Sequence, residues 1–191
     1  MPEGAAQGQY QGMEYVIRRV GAEEWAQARD LRLAALQDPL APIAFYESYE
    51  QAVARPDSFW QERTSSAAAG VDVVQFVAEG PDGRWDGTVS VLVEHKGESR
   101  IGKPAPVEQT HVVGVFVRAE ARGSGLAEAL FRTALEWSWE RQSPPVERVR
   151  LLFHSDNTRA AALYRKIGFV PSGDTAPVPD DEMALEYEVR R

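Results

Sequence analysis

Val115-Phe116-Val117-Arg118-Ala119-Glu120-Ala121-Arg122-Gly123-Ser124-Gly125-Leu126-Ala127 joins two kinds of local pattern. It begins as a β-branched and aromatic run, which suits a strand. From Leu126 the apolar residues Leu126, Leu130, Ala134 and Trp137 recur on one face of a helix. The two glycines sit between. A helix N-terminus leaves main-chain N–H groups without helical acceptors, and its dipole favours an anion. Glycines let a phosphate approach the backbone closely, and Arg122 adds a cation. The same pattern also suits a glycine turn that only starts a helix. No Gly-Lys-Ser/Thr follows, so the segment is not a P-loop, and Glu128 stands where a dinucleotide fingerprint needs its third glycine.

On the N-terminal side, Tyr15 to Val20 reads as a strand and Glu23 to Gln37 as a helix, stopped by Asp38-Pro39. A linker through Pro42 leads to weaker helical pieces at Tyr49–Val53 and Asp57–Thr64. Val73–Ala78 and Gly87–Glu94 read as a hairpin around Gly80-Pro81-Asp82-Gly83. A polar loop from Gly97 to Pro106 precedes a third strand, Thr110–Val117. On the C-terminal side, Pro144-Pro145 ends the helix begun at Leu126. Strand Arg148–Phe153, helix Thr158–Ile167, and strands Phe169-Val170 and Glu182–Val189 follow. Hairpin-linked strands beside helical crossovers predict a mixed sheet in an α/β domain. Residues 1 to 13, rich in Gly, Gln and Ala, are expected to form a flexible tail, with one domain over 14–191.

The chain has 191 residues and a formal charge of −8. It has no cysteine, which excludes disulfides, thiolate metal sites and a cysteine nucleophile and suits a reducing cytoplasm. Its three scattered histidines give no metal-ligand spacing. Without a basic cluster or a long apolar run, neither nucleic acid nor a membrane is an expected partner. Met1-Pro2-Glu3-Gly4 lacks the basic and apolar regions of a secretory signal, so a cytoplasmic location is expected. Acidity weakly favours a cationic partner, and equally suits mere solubility.

A second segment runs from Asn157 to Phe169. Leu163 and Ile167 share one helix face, and Tyr164 lies above the small residues Ala160 and Ala161. That leaves room for a ligand at the Tyr164 hydroxyl; a core-edge tyrosine fits the same pattern. Asn157 stands at an N-cap position.

Together the segments resemble the GNAT superfamily of N-acetyltransferases. Arg122 to Ala127 matches the family's Gln/Arg-x-x-Gly-x-Gly/Ala signature, and Asn157 to Phe169 its Asn-x-x-Ala-x-x-Leu-Tyr-x-x-x-Gly-Phe pattern. The resemblance runs from about Tyr15 to the last strand, where Met183-Ala184-Leu185 looks like the family's closing strand. Ala119 departs from it, since many members carry proline there.

The resemblance implies a central, mostly antiparallel mixed sheet in which two parallel strands, Thr110–Val117 and Arg148–Phe153, splay apart to admit acetyl-CoA. Val115, Phe116 and Val117 would align the pantetheine arm. Arg122, Gly123, Ser124, Gly125, Leu126 and Ala127 would hold the pyrophosphate, and Asn157 would contact the pantetheine or adenosine part. Tyr164 would protonate the departing thiolate, with no metal involved. The acceptor would be a primary amine of a small molecule, amino acid or protein. Glu94, Glu108, His111, His154 or a water would serve as base. Phe45 and Tyr46 would line the acceptor pocket or the core. Members are often monomers or homodimers. Two other readings are an acyl-CoA sensor or structural domain without catalysis, and transfer of a longer acyl group.

Overall fold

The computed structural model describes residues 6–10, 13–178 and 182–191, without the side chains of 6–10, 13 and 182. In chain order the elements are β1 (Ala6–Tyr10), β2 (Met13–Arg19), α1 (Trp25–Leu36), α2 (Ala41–Ala44), α3 (Tyr49–Val53), α4 (Asp57–Ala69), β3 (Val73–Glu79), β4 (Trp85–Glu94) and β5 (Gln109–Val117). Then come α5 (Leu126–Glu140), β6 (Arg148–His154), α6 (Thr158–Ile167), β7 (Val170–Val178) and β8 (Glu182–Arg190). They form one eight-stranded sheet in the order β1-β2-β3-β4-β5-β6-β8-β7. All neighbours are antiparallel except β5 and β6. The mixed sheet with a splayed parallel pair and flanking helices is the expected architecture.

Residue alternation along the strands divides the core. Phe76, Val89, Val91, Val112, Val149 and Leu151 join the cluster under α5, while Val77, Trp85 and Phe116 pack with Ala28, Leu31 and Ala35 of α1 and Ala67 of α4. The longer α4 follows from this packing: Ala67 is buried past the expected end at Thr64, and the helix stops at Gly70, in the left-handed region at φ 67°.

Two local expectations change. Ala6–Tyr10, within the stretch expected to be a flexible tail, pairs with β2 as an edge strand. Main-chain hydrogen bonds to an existing sheet edge need no apolar pattern, which is why composition did not reveal it. The remainder of that stretch, 1–5 and 11–12, lies outside the described residues. Second, β7 runs to Val178, far past the expected Phe169-Val170, despite Pro171, Gly173 and Pro177. It is the opposite edge strand, and its register shifts between Pro171 and Thr175, the places where a sheet tolerates proline. No described helix is long and apolar enough to cross a membrane.

β5 and β6 pair only from Gln109 to His111 against Arg148 to Arg150 and then part. At this paired base the Glu94 carboxylate accepts from Gln109 Nε2 at 2.6 Å, from Arg150 Nε and Nη2 at 2.8 and 2.7 Å, and from His111 Nδ1 at 3.1 Å. Arg150 Nη1 continues to Glu186 at 3.0 Å, and Arg148 also pairs with Glu186. Burial alone would raise the pKa of Glu94; hydrogen bonds from His111 and Arg150 outweigh it and bring it down to about 2. A depressed carboxylate stabilises the fold above its unfolded pKa, and the contribution fades as pH falls from about 4.5 toward about 2. Glu94→Gln leaves the buried Arg150 with Glu186 as its remaining carboxylate and should cost up to about 3–5 kcal/mol in urea unfolding at neutral pH. The deficit should shrink at acid pH; one that stays constant to pH 2 would place the effect in packing instead.

Candidate active site

Above its paired base, the gap between β5 and β6 is a cleft of about 430 Å³. From Val112 onward the β5 edge facing β6 has no strand partner. Against β4, the register shifts between Thr88 and Ser90, so Gly114 and Val115 together oppose Val89. This is a β-bulge, with Gly114 at φ 62°. Gly114 lines the cleft and was not among the residues singled out by sequence; a glycine inside a strand was the available signal.

After β5 the chain makes a 3-10 turn at Ala119–Ala121 and enters the glycine segment. Gly123 and Gly125 lie at φ 76° and 88°, a conformation open to glycine and costly for other residues. Gly125 starts α5, whose first acceptor within the helix is its carbonyl, taken by Ala129 N–H at 3.1 Å. The N–H groups of Ala127 and Glu128 therefore lack helical acceptors, and both residues line the cleft. A Cβ placed on Gly123 would meet nothing within 4 Å.

Val115, Phe116, Val117, Arg122, Gly123, Gly125, Leu126, Ala127, Asn157 and Tyr164 all line the cleft. Ser124 does not: its hydroxyl donates to the Ala121 carbonyl at 2.6 Å and so tightens the loop from behind. Arg122 is less available than expected. Its Nε donates to the Val117 carbonyl at 3.0 Å and its Nη2 to Asp38 at 2.5 Å. It braces the loop against the segment after α1. Arg159 and Lys166 also line the cleft, Lys166 paired with Glu128 at 2.6 Å. Asp38, read from sequence only as a helix stop, is a wall residue. Asn157 caps α6, accepting from Ala160 N–H at 3.2 Å.

Tyr164 sits in an aromatic frame, 5.5 Å from Phe131, 5.2 Å from Phe153 and 6.4 Å from Phe169 between ring centroids. Burial, and then the Tyr46 phenol, push its pKa up to about 12, so it holds its proton at neutral pH. None of Glu94, Glu108, His111 and His154 lines the cleft. Glu94 and His111 belong to the buried cluster. Glu108 binds His95 Nδ1 at 2.9 Å, and His154 Nδ1 accepts from Asp156 N–H at 3.1 Å. Among the described residues, no group of three or more His, Cys, Asp or Glu is placed to hold a metal ion.

The model of the acetyltransferase (GNAT) family matches residues 25–169, which include this whole cleft. The chain belongs to the GNAT acetyltransferase family. A mycothiol acetyltransferase of Saccharomonospora viridis is 37% identical over 94 residues, 49% of this chain and 29% of that protein. The chain thus matches under a third of the length of that curated relative. Mycobacterium smegmatis RimJ, in complex with CoA-disulfide, is similar in fold, with a TM-score of 0.71 at 18% identity over 99% of this chain and 88% of RimJ. So is ribosomal-protein-S5-alanine acetyltransferase from Vibrio fischeri, at 0.72 and 15% over 98% and 97%.

Asn157→Ala removes the α6 cap and should lower stability by about 1 kcal/mol in ligand-free thermal melts. Asn157→Asp keeps the accepting oxygen and should retain most of it. Equal losses in both variants would show that the cap contributes little.

Proposed function

We propose that this GNAT protein transfers an acetyl group from acetyl-CoA to a primary amine. The observation that carries this reading is that one cleft brings together the β5 edge left unpaired by β6, the first turn of α5 and Tyr164. The residues fit the co-substrate. Backbone donors, open glycines and the nearby Arg159 suit a pyrophosphate, and the free strand edge suits the amides of a pantetheine arm. Acetyl-CoA supplies an acetyl group activated as a thioester.

The chain's own groups then do three things. The backbone of Val115 and Val117 orients the arm along β5. A main-chain N–H beside the Gly114 bulge favours negative charge on the carbonyl oxygen as the amine nitrogen bonds to carbon. As the carbon–sulfur bond breaks, the Tyr164 hydroxyl supplies the proton that sulfur takes. The amine's surplus proton leaves through water, because none of the four candidate bases lines the cleft. No Gly-x-Ser-x-Gly elbow or cysteine is present to form an acyl-enzyme, so direct attack by the amine is the economical route. Mass spectrometry of acceptor panels should find N-acetyl products.

Acetyl-CoA at about 100 times its Kd should stabilise the fold by about 2.7 kcal/mol. Gly123→Glu puts a carboxylate into the pyrophosphate position and should abolish that gain. Gly123→Ala shares the backbone strain without the charge and should keep a substantial part. Equal acetyl-CoA affinity in folded Gly123→Glu and wild type would remove the site.

Tyr164→Phe should lower kcat by up to about 10²–10⁴-fold with little change in acetyl-CoA affinity. A variant that is less stable yet fully active once folded would assign Tyr164 to packing alone.

A further inference from the structure

A second, smaller pocket of about 30 Å³ opens between α1, α4 and the sheet. Ser90 and Gly114 lie on its strand side, and Arg32, Trp60 and Arg63 on its helix side. About 10–15 Å³ on this measure holds one water, so the space suits a single small polar group, not a whole substrate. Gly114 lines this pocket and the large cleft alike. A group held here is therefore a neighbour of the bulge at which the acceptor amine would react.

The local charge balance runs against that of the chain. Arg32, Arg55 and Arg63 gather around one carboxylate, Glu47, in a protein of formal charge −8. Glu47 accepts from Arg32 Nε and Nη2 at 3.2 and 3.0 Å and from Arg55 Nε at 3.1 Å. Arg63 makes no hydrogen bond or ion pair with a described residue; its guanidinium lies 5.8 Å from the Trp60 ring centroid. Arg63 is exposed and cationic at neutral pH, with the like charges of Arg32 and Arg55 nearby. The Trp60 indole, 1% exposed, buries an N–H with no acceptor among the described residues. Water solvates the Arg63 charge until an anion arrives, and Arg63 lines this pocket without being spent on a described carboxylate.

We infer that this pocket receives a carboxylate of the acceptor, so that the amine substrate is itself a carboxylate-bearing small molecule such as an amino acid. The inference rests on the acetyltransferase reading above and narrows its substrate class. A planar guanidinium fork matches a carboxylate with two parallel hydrogen bonds, which an ammonium does not. Arg32, held by Glu47 and by Phe45, whose ring centroid lies 4.7 Å from its guanidinium carbon, fixes the helix side of the pocket. Arg63 carries the recognition.

The test has a binding arm and a turnover arm. In the presence of CoA, calorimetry compares N-acetyl amino acids with their carboxamides on wild type, Arg63→Gln and Arg63→Lys, with melting temperatures confirming that each variant is folded. Wild type should prefer at least one carboxylate over its amide by about 10- to 100-fold, as for a hydrogen bond to a charged group. Arg63→Gln should erase that preference and Arg63→Lys should keep part of it. In turnover, Arg63→Gln should raise KM for the preferred amino acid by a similar factor, with a smaller effect on kcat. No carboxylate preference in wild type, or a preference that survives Arg63→Gln, overturns the subsite. Failure to acetylate any amine overturns the proposed reaction, while the binding arm still decides the subsite on its own.

Discussion

Where β5 and β6 stay together, four strands are tied through their side chains. Glu94 of β4 holds Gln109 and His111 of β5 and Arg150 of β6, and Arg150 reaches Glu186 of β8. Removing so many charges from water is costly, and such a cluster survives because nearly every donor meets an acceptor. Its consequence is positional. The strands are clamped over three residues, so their divergence begins at a defined place, after His111. The cleft, the free edge of β5 and the distance between α5 and α6 all follow from that point. Two of the four residues offered as bases, Glu94 and His111, thus serve in the clamp. At a pKa of about 2, Glu94 is too weak a base to accept a proton at neutral pH.

The far end of the cleft is built differently. Little side-chain charge is free there: Asp38 takes Arg122, and Glu128 takes Lys166. What faces the opening is backbone, shaped by two left-handed glycines and the first turn of α5. Backbone donors fixed by a helix need no reorganisation when an anion arrives, whereas a free arginine would lose rotamer freedom. Arg122 matters because it holds the loop to Val117 and Asp38, across 84 residues of sequence between Arg122 and Asp38.

This separates what was legible in the sequence from what was not. The strand–glycine–helix unit and α6 were legible because their signals are local: periodicity, an N-cap asparagine and a C-cap glycine. The bounds of α6 match those expected from Thr158 to Ile167. The splay followed only from resemblance to a family, and the order of strands across the sheet had no signal in the sequence. Edge strands were misread, β1 because an edge recruits backbone regardless of side chains, and β7 because its prolines look like breakers unless the strand is known to be at an edge. Contacts between distant segments, Arg122 with Asp38 and the α4 residues Trp60 and Arg63 with the pocket at Gly114, carry no local signal at all.

The bulge at Gly114 joins these parts into one argument about function. A regular β5 would spend its N–H and C=O groups on β4 and present a flat face on either side. One extra residue breaks that pairing, and the glycine conformation at φ 62° lets the chain turn without a side chain. The same residue thereby borders two chemically unlike spaces, the large cleft with its backbone donors and aromatic frame and the small pocket lined by Arg32 and Arg63. A reaction that joins two molecules needs such a boundary, because each must be held by its own determinants while the reacting atoms meet in between. The cleft side is built from β5, the glycine loop, α5 and α6. The arginine side is built from α1 and α4, the helices that cover the other face of the sheet. If the proposed carboxylate subsite holds the acceptor, selectivity can change through those helices while the clamp, the splay and the glycine loop stay as they are.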